Sequence, residues 1–209
     1  MDLLHGLFEE SKDPQEYSKA YIENLISLLK SLDHAAIAAI AGKFKKIRKD
    51  RGCIYFAGNG GSASTCSHYV NDFHAGSLRH GGGGYRLVDL TSNIASVTAL
   101  ANDVGYENVF CRQLEDVIES RDALVVISAS GNSANLIKAA EFAKSRGAAT
   151  IGILGFDGGQ LKSRCDISLV VNTPQGQYGP VEDIHLIINH IISTYLTFKN
   201  RVDGKQLRS

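Results

Sequence analysis

The sequence predicts a parallel α/β domain, a sheet flanked by helices, with a helical extension at its N-terminus. Three observations carry this. From Cys53 onward, short β-branched runs alternate with stretches of helical spacing, the pattern of parallel strands joined by right-handed crossovers. Residues 1–50 show helical periodicity only. Two loops of Gly, Ser and Asn, Gly58-Asn59-Gly60-Gly61-Ser62 and Ser128-Ala129-Ser130-Gly131-Asn132-Ser133, each follow an apolar run and precede a helical pattern.

Taken in order, Asp13-Pro14 reads as an N-cap followed by a first-turn proline. Tyr17, Tyr21, Leu25, Leu28 and Leu32 then recur at helical spacing. This stripe is expected to bury itself against other subunits. A second helix starts near Asp33, carries Ile37, Ile40, Phe44 and Ile47, and ends in a basic run, 45–51, suited to the negative end of a helix dipole. Strands are predicted at 53–57, 85–90, 123–128, 149–154 and 167–171. Helices are predicted at 63–74, 93–102, 107–119, 133–146 and 181–199. The run His80-Gly81-Gly82-Gly83-Gly84 reads as a flexible turn or a lid. The division expected is 1–50 for assembly, 51–199 for the α/β domain and 200–209 as a tail.

Composition narrows the function. The 209 residues carry 22 basic and 22 acidic side chains, so there is no electrostatic footprint for nucleic acid or a membrane surface. No apolar stretch approaches the ~20 residues that span a bilayer. The opening Met1-Asp2-Leu3-Leu4-His5-Gly6 lacks the regions of a signal peptide, and a cytoplasmic location is expected. Cys53, Cys66, Cys111 and Cys165 have no C-x-x-C spacing, in keeping with reduced thiols.

The two loops point to a phosphorylated ligand. Ligands of parallel sheets settle outside the carboxyl ends of strands, where glycines admit the backbone and helix N–H groups face anions. Neither loop fits G-x-x-x-x-G-K-[ST] or G-x-G-x-x-G, and the second holds three serines in six residues. A sugar phosphate suits them better than a nucleotide. His68 and Asp72 share a helix face four residues apart; Glu182 and His190, eight apart, lie on one side of the last helix, with His185 between them. Two imidazoles and two carboxylates suit Zn²⁺ or a similar divalent ion.

These residues, with Ala101-Asn102-Asp103-Val104-Gly105-Tyr106 and Glu182-Asp183-Ile184-His185, resemble the phosphoheptose isomerases of the sugar-isomerase (SIS) domain group, from about residue 15 to 198. The resemblance implies a flavodoxin-like five-stranded parallel sheet and a homotetramer assembled through the N-terminal helices. It implies conversion of D-sedoheptulose 7-phosphate to D-glycero-D-manno-heptose 7-phosphate. By that match Asn59, Gly60, Gly61, Ser62, Asn102 and Asp103 bind the sugar, and Ser128, Ala129, Ser130 and Ser133 hold the phosphate. His68, Asp72, Glu182 and His190 fall on the positions for one Zn²⁺ per subunit, with Asp72 and Glu182 also touching substrate. Asp72 and His190 are the expected acid–base pair.

The chain departs from the pattern at two ligands, with Asp72 where the family commonly has Glu and Glu182 where it has Gln. The family's arginine from a neighbouring subunit has only Arg79 as a loose counterpart. Some SIS-domain proteins bind sugar phosphates without catalysis, including regulators of bacterial replication initiation. The complete set of competent ligands favours the isomerase.

Overall fold

The computed structural model describes residues 3–80 and 84–206. The glycines at 81–83, expected in a turn or lid, and the side chain of Arg79 lie outside the described residues.

Three helices come first: α1 (Leu3–Glu10), α2 (Pro14–Lys30) and α3 (His34–Lys49). Asp13 caps α2 by accepting from the Gln15 and Glu16 amides, and Asp33 caps α3 through the Ala35 and Ala36 amides. The sheet and its crossovers follow as β1 (Cys53–Gly58), α4 (Gly61–His80), β2 (Arg86–Asp89), α5 (Ile94–Val104), α6 (Val109–Leu114) and β3 (Ala123–Ser128). Then come α7 (Ala134–Ser145), β4 (Ala149–Phe156), α8 (Leu161–Arg164), β5 (Ile167–Asn172) and α9 (Tyr178–Gln206). All five strands pair in parallel in the order β2-β1-β3-β4-β5.

The strands are buried on both sides, so alternate residues feed two cores. Ile54, Phe56, Val125 and Ile127 face one core with α3, α4 and α9, while Tyr55, Ala57, Leu124 and Val126 face the other with α6 and α7. Ile37, Ile40, Phe44 and Ile47 lie in the first core, so α3 packs as a layer of the α/β unit.

Three expectations change. The stripe of α2 does not face outward: Leu25 and Leu28 pack on the chain's own core, Leu32 is buried within it, and Tyr21 donates to Asp183 Oδ2 at 2.7 Å. The open face of α2 carries Ile22 and Ile26 instead. Periodicity shows that a face is apolar, not what covers it. The helix expected over 107–119 is a 3₁₀ turn, Tyr106–Asn108, followed by α6 alone. Beyond α6, the Glu119 amide bonds Asp122 Oδ2 at 2.8 Å, a side-chain acceptor replacing the next helical carbonyl. The last helix extends past both expected ends, from Tyr178 to Gln206.

Candidate active site

The strand order reverses direction between β1 and β3, and at such a switch point two neighbouring crossovers leave a crevice open. The register pairs Gly58 with Ile127, which sets Asn59 beside Ser128 at the carboxyl ends. The two Gly/Ser loops therefore border one pocket. Asn59, Ser62, Ser128, Ala129, Ser130, Ser133, Tyr178 and Glu182 line it.

The serine loop is held in shape by its own hydrogen bonds. Ser128 Oγ accepts from the Gly131 amide at 3.0 Å, and Ser130 Oγ from the Asn132 amide at 3.3 Å. Because both oxygens act as acceptors here, each hydroxyl hydrogen stays available to an anion. Gly131 has φ +63°, and a Cβ there would strike the Gly158 carbonyl. The loop after β4 thus presses against the serine loop. The Gln160 amide bonds Asn132 Oδ1 at 3.0 Å and the Leu161 amide bonds the Gly131 carbonyl at 3.0 Å. The sequence reading missed this support, because nothing local to 157–161 names the loop it touches.

Glu182 enters from the N-terminal part of α9, four residues after Tyr178. Its carboxylate occupies the space where Gly61 would carry a side chain, against the positive end of α4. Asn102 and Asp103 are exposed at the end of α5, bonded to each other at 2.9 Å, and are outside the pocket lining.

Further along α4 and α9, three of the four expected metal ligands converge. His68 Nε2 lies 3.3 Å from Asp72 Oδ1, His190 Nε2 lies 3.5 Å from Asp72 Oδ2, and the two Nε2 atoms are 3.2 Å apart. A tetrahedral ion with bonds of about 2.0–2.1 Å sets its donors about 3.3 Å apart. The donor types fit a divalent metal, and one ligand atom from each of the three residues lies within 4.8 Å of the other two. Glu182 stands apart from this group, at the pocket end of α9. His185 does not join either: it points into the core and is fully buried, and burial pushes its pKa down to about 4 against the opposing effect of the Leu154 backbone. Asn189, unremarked in the sequence, donates to Asp72 Oδ2 at 2.8 Å. Its position next to His190 was the one available signal.

Comparison with known proteins identifies the family. Residues 17–155 match the SIS domain family. The phosphoheptose isomerase of Helicobacter pylori (strain P12) is 35% identical over 191 residues, covering 91% of this chain and 92% of that protein. The phosphoheptose isomerase of a Nitratiruptor species is 37% identical over 148 residues, covering 71% of this chain and 78% of that protein. Among solved structures, phosphoheptose isomerase GmhA from Neisseria gonorrhoeae superposes with a TM-score of 0.78 at 27% identity, covering 88% of this chain and 98% of that one. The chain belongs to the SIS-domain family and, within it, to the phosphoheptose isomerases, which makes it a sugar-phosphate isomerase.

Proposed function

We propose that the enzyme interconverts D-sedoheptulose 7-phosphate and D-glycero-D-manno-heptose 7-phosphate by proton transfer beside a divalent metal. The observation that carries this reading is the convergence of His68, Asp72 and His190 on the α4–α9 pair whose other end borders the serine-lined pocket. His68 stands six residues, about 9 Å along α4, from Ser62. An extended seven-carbon phosphate is about 10 Å long, from C–C bonds near 1.5 Å. Phosphate at one end thus leaves the carbonyl end beside the histidines.

In this reading Ser128, Ser130 and Ser133 hold the phosphate, aided by backbone amides at the start of α7. Asn59, Gly60, Gly61, Ser62, Asn102 and Asp103 bind the sugar. Zinc suits the His/carboxylate donor set, with His68, Asp72 and His190 as ligands and Glu182 as the proposed fourth. When bound, the ion supplies positive charge where oxyanion character develops. Asp72 takes the C1 proton and returns it to C2, and His190 moves a proton between the two oxygens. Asn189 keeps the Asp72 carboxylate turned toward the histidines. Remote contacts at the phosphate fix the reacting carbons in place. The protein works as a homotetramer in the cytoplasm, and the apolar surface of Ile22, Ile26, Ile191 and Tyr195 supports assembly.

Incubation with sedoheptulose 7-phosphate in D₂O, followed by NMR, tests the reading. An aldose 7-phosphate carrying deuterium at C2 is expected. Binding of the ketose with neither isomerisation nor exchange at C1 would instead leave the chain a sugar-phosphate binder.

A further inference from the structure

The loop after β1 is tied to the start of α7 and to the 3₁₀ turn by a side-chain network that the mechanism above does not use. Asn59 Nδ2 donates to Asn135 Oδ1 at 3.0 Å, and Asn135 Nδ2 donates back to Asn59 Oδ1 at 2.9 Å. The Tyr106 hydroxyl donates to the same Asn59 Oδ1 at 2.7 Å. Asn135 sits in the first turn of α7, only 2% exposed, while Asn59 lines the pocket.

A carboxamide has two lone pairs on oxygen and two hydrogens on nitrogen. Both lone pairs of Asn59 are taken, by Asn135 and Tyr106, and one of its hydrogens goes to Asn135. One N–H is left. A free asparagine in a pocket turns either its oxygen or its nitrogen to a ligand. This one has only a donor to offer.

We propose that Asn135 and Tyr106 are positioning residues that hold Asn59 as a single-hydrogen donor to an oxygen of the bound sugar phosphate. The proposal rests on the pocket between the two loops being the sugar-phosphate site. The network also couples the loop after β1 to the helix after β3, so that sugar and phosphate contacts keep one fixed geometry.

Two measurements test it. Asn135→Asp keeps the shape and an acceptor but sets an oxygen against Asn59 Oδ1. In ¹⁵N NMR of the ligand-free protein, the Asn59 carboxamide signals should move in Asn135→Asp and in Tyr106→Phe. Signals unmoved by Asn135→Asp overturn the network whatever the sugar is. With sedoheptulose 7-phosphate as substrate, KM should rise about ten-fold in Asn135→Asp and about three-fold in Tyr106→Phe. In an Asn59→Ala background Asn135→Asp should add nothing, because it acts through Asn59. Additive losses would mark Asn135 as a purely structural residue and overturn the proposal. Asn59→Asp, which has no hydrogen to give, should lose as much as Asn59→Ala, and a normal KM there overturns the donor assignment. A wild-type protein inert toward sedoheptulose 7-phosphate refutes the substrate reading instead, and the NMR shifts then decide on the network.

Discussion

Asn189 donates from Nδ2 to Asp72 Oδ2 at 2.8 Å, from a side chain with no exposed surface. The bond joins α9 to α4 next to His190 and fixes the plane of the carboxylate, with Oδ1 toward His68 and Oδ2 toward His190. A hydrogen bond to a charged group is worth about 1.5–3 kcal/mol. Asn189→Ala is therefore expected to lower kcat by ten-fold or more while KM for the sugar phosphate stays near the wild-type value. Equal losses in kcat and binding would mean that Asn189 supports the helix pair rather than the carboxylate.

The spacing of His68, Asp72 and His190 predicts one divalent ion per chain. Zinc titration followed by calorimetry should give a stoichiometry of about one. Binding should vanish in His68→Ala and His190→Ala and weaken in Glu182→Ala, since Glu182 starts outside the group. Affinity unchanged in Glu182→Ala would confine the site to three residues. No binding by the wild-type chain would remove the metal from the mechanism.

At the serine loop, Ser130 spends its oxygen on the Asn132 amide and has its hydrogen free. Ser130→Ala should raise KM for a phosphorylated ketose about ten-fold, by the loss of one charge-assisted bond. Inorganic phosphate should weaken as a competitive inhibitor by a similar factor. A KM that does not move would place the phosphate elsewhere in the pocket.

Assembly is tested by mass. Ile22 and Ile26 on α2 and Ile191 and Tyr195 on α9 are exposed, and so many large apolar side chains call for a partner surface. Light scattering should give about four times the 22.5 kDa chain mass. Ile22→Lys with Ile26→Lys should lower that mass without lowering helix content. A monodisperse wild-type monomer at micromolar concentration would reject the tetramer.

The parallel strands were legible because each is a short β-branched run bounded by turn residues, and the Asp13 and Asp33 caps because capping is local. The two ligand loops were legible for the same reason. What escaped depends on distant partners. Asn135 and Asn189 look like ordinary helical polar residues until the fold brings them to Asn59 and Asp72. The α2 stripe was read correctly as apolar, yet its cover is the chain's own core. Glu182 and His190 share a side of α9, but two turns of helix separate a pocket residue from a ligand group.

His185 makes the fold sensitive to acid. It is fully buried on the sheet side of α9, and burial holds its pKa at about 4, below the 6.5 of an exposed imidazole, although the Leu154 backbone pulls the other way. Above pH 6.5 the ring is neutral in folded and unfolded chains alike, so it adds no pH dependence there. Between 6.5 and 4 the unfolded chain takes up a proton that the folded chain refuses, so stability falls as the pH falls. At pH 5 the loss amounts to about 2 kcal/mol, at 1.36 kcal/mol per pH step. His185→Leu removes the titrating group and should be less sensitive to acid by that amount. Urea unfolding of both metal-free proteins at pH 7.5 and pH 5 measures the difference, with the other groups cancelling between them. Equal acid sensitivity in the two proteins would show that the His185 ring takes up its proton as readily in the folded chain as in the unfolded one.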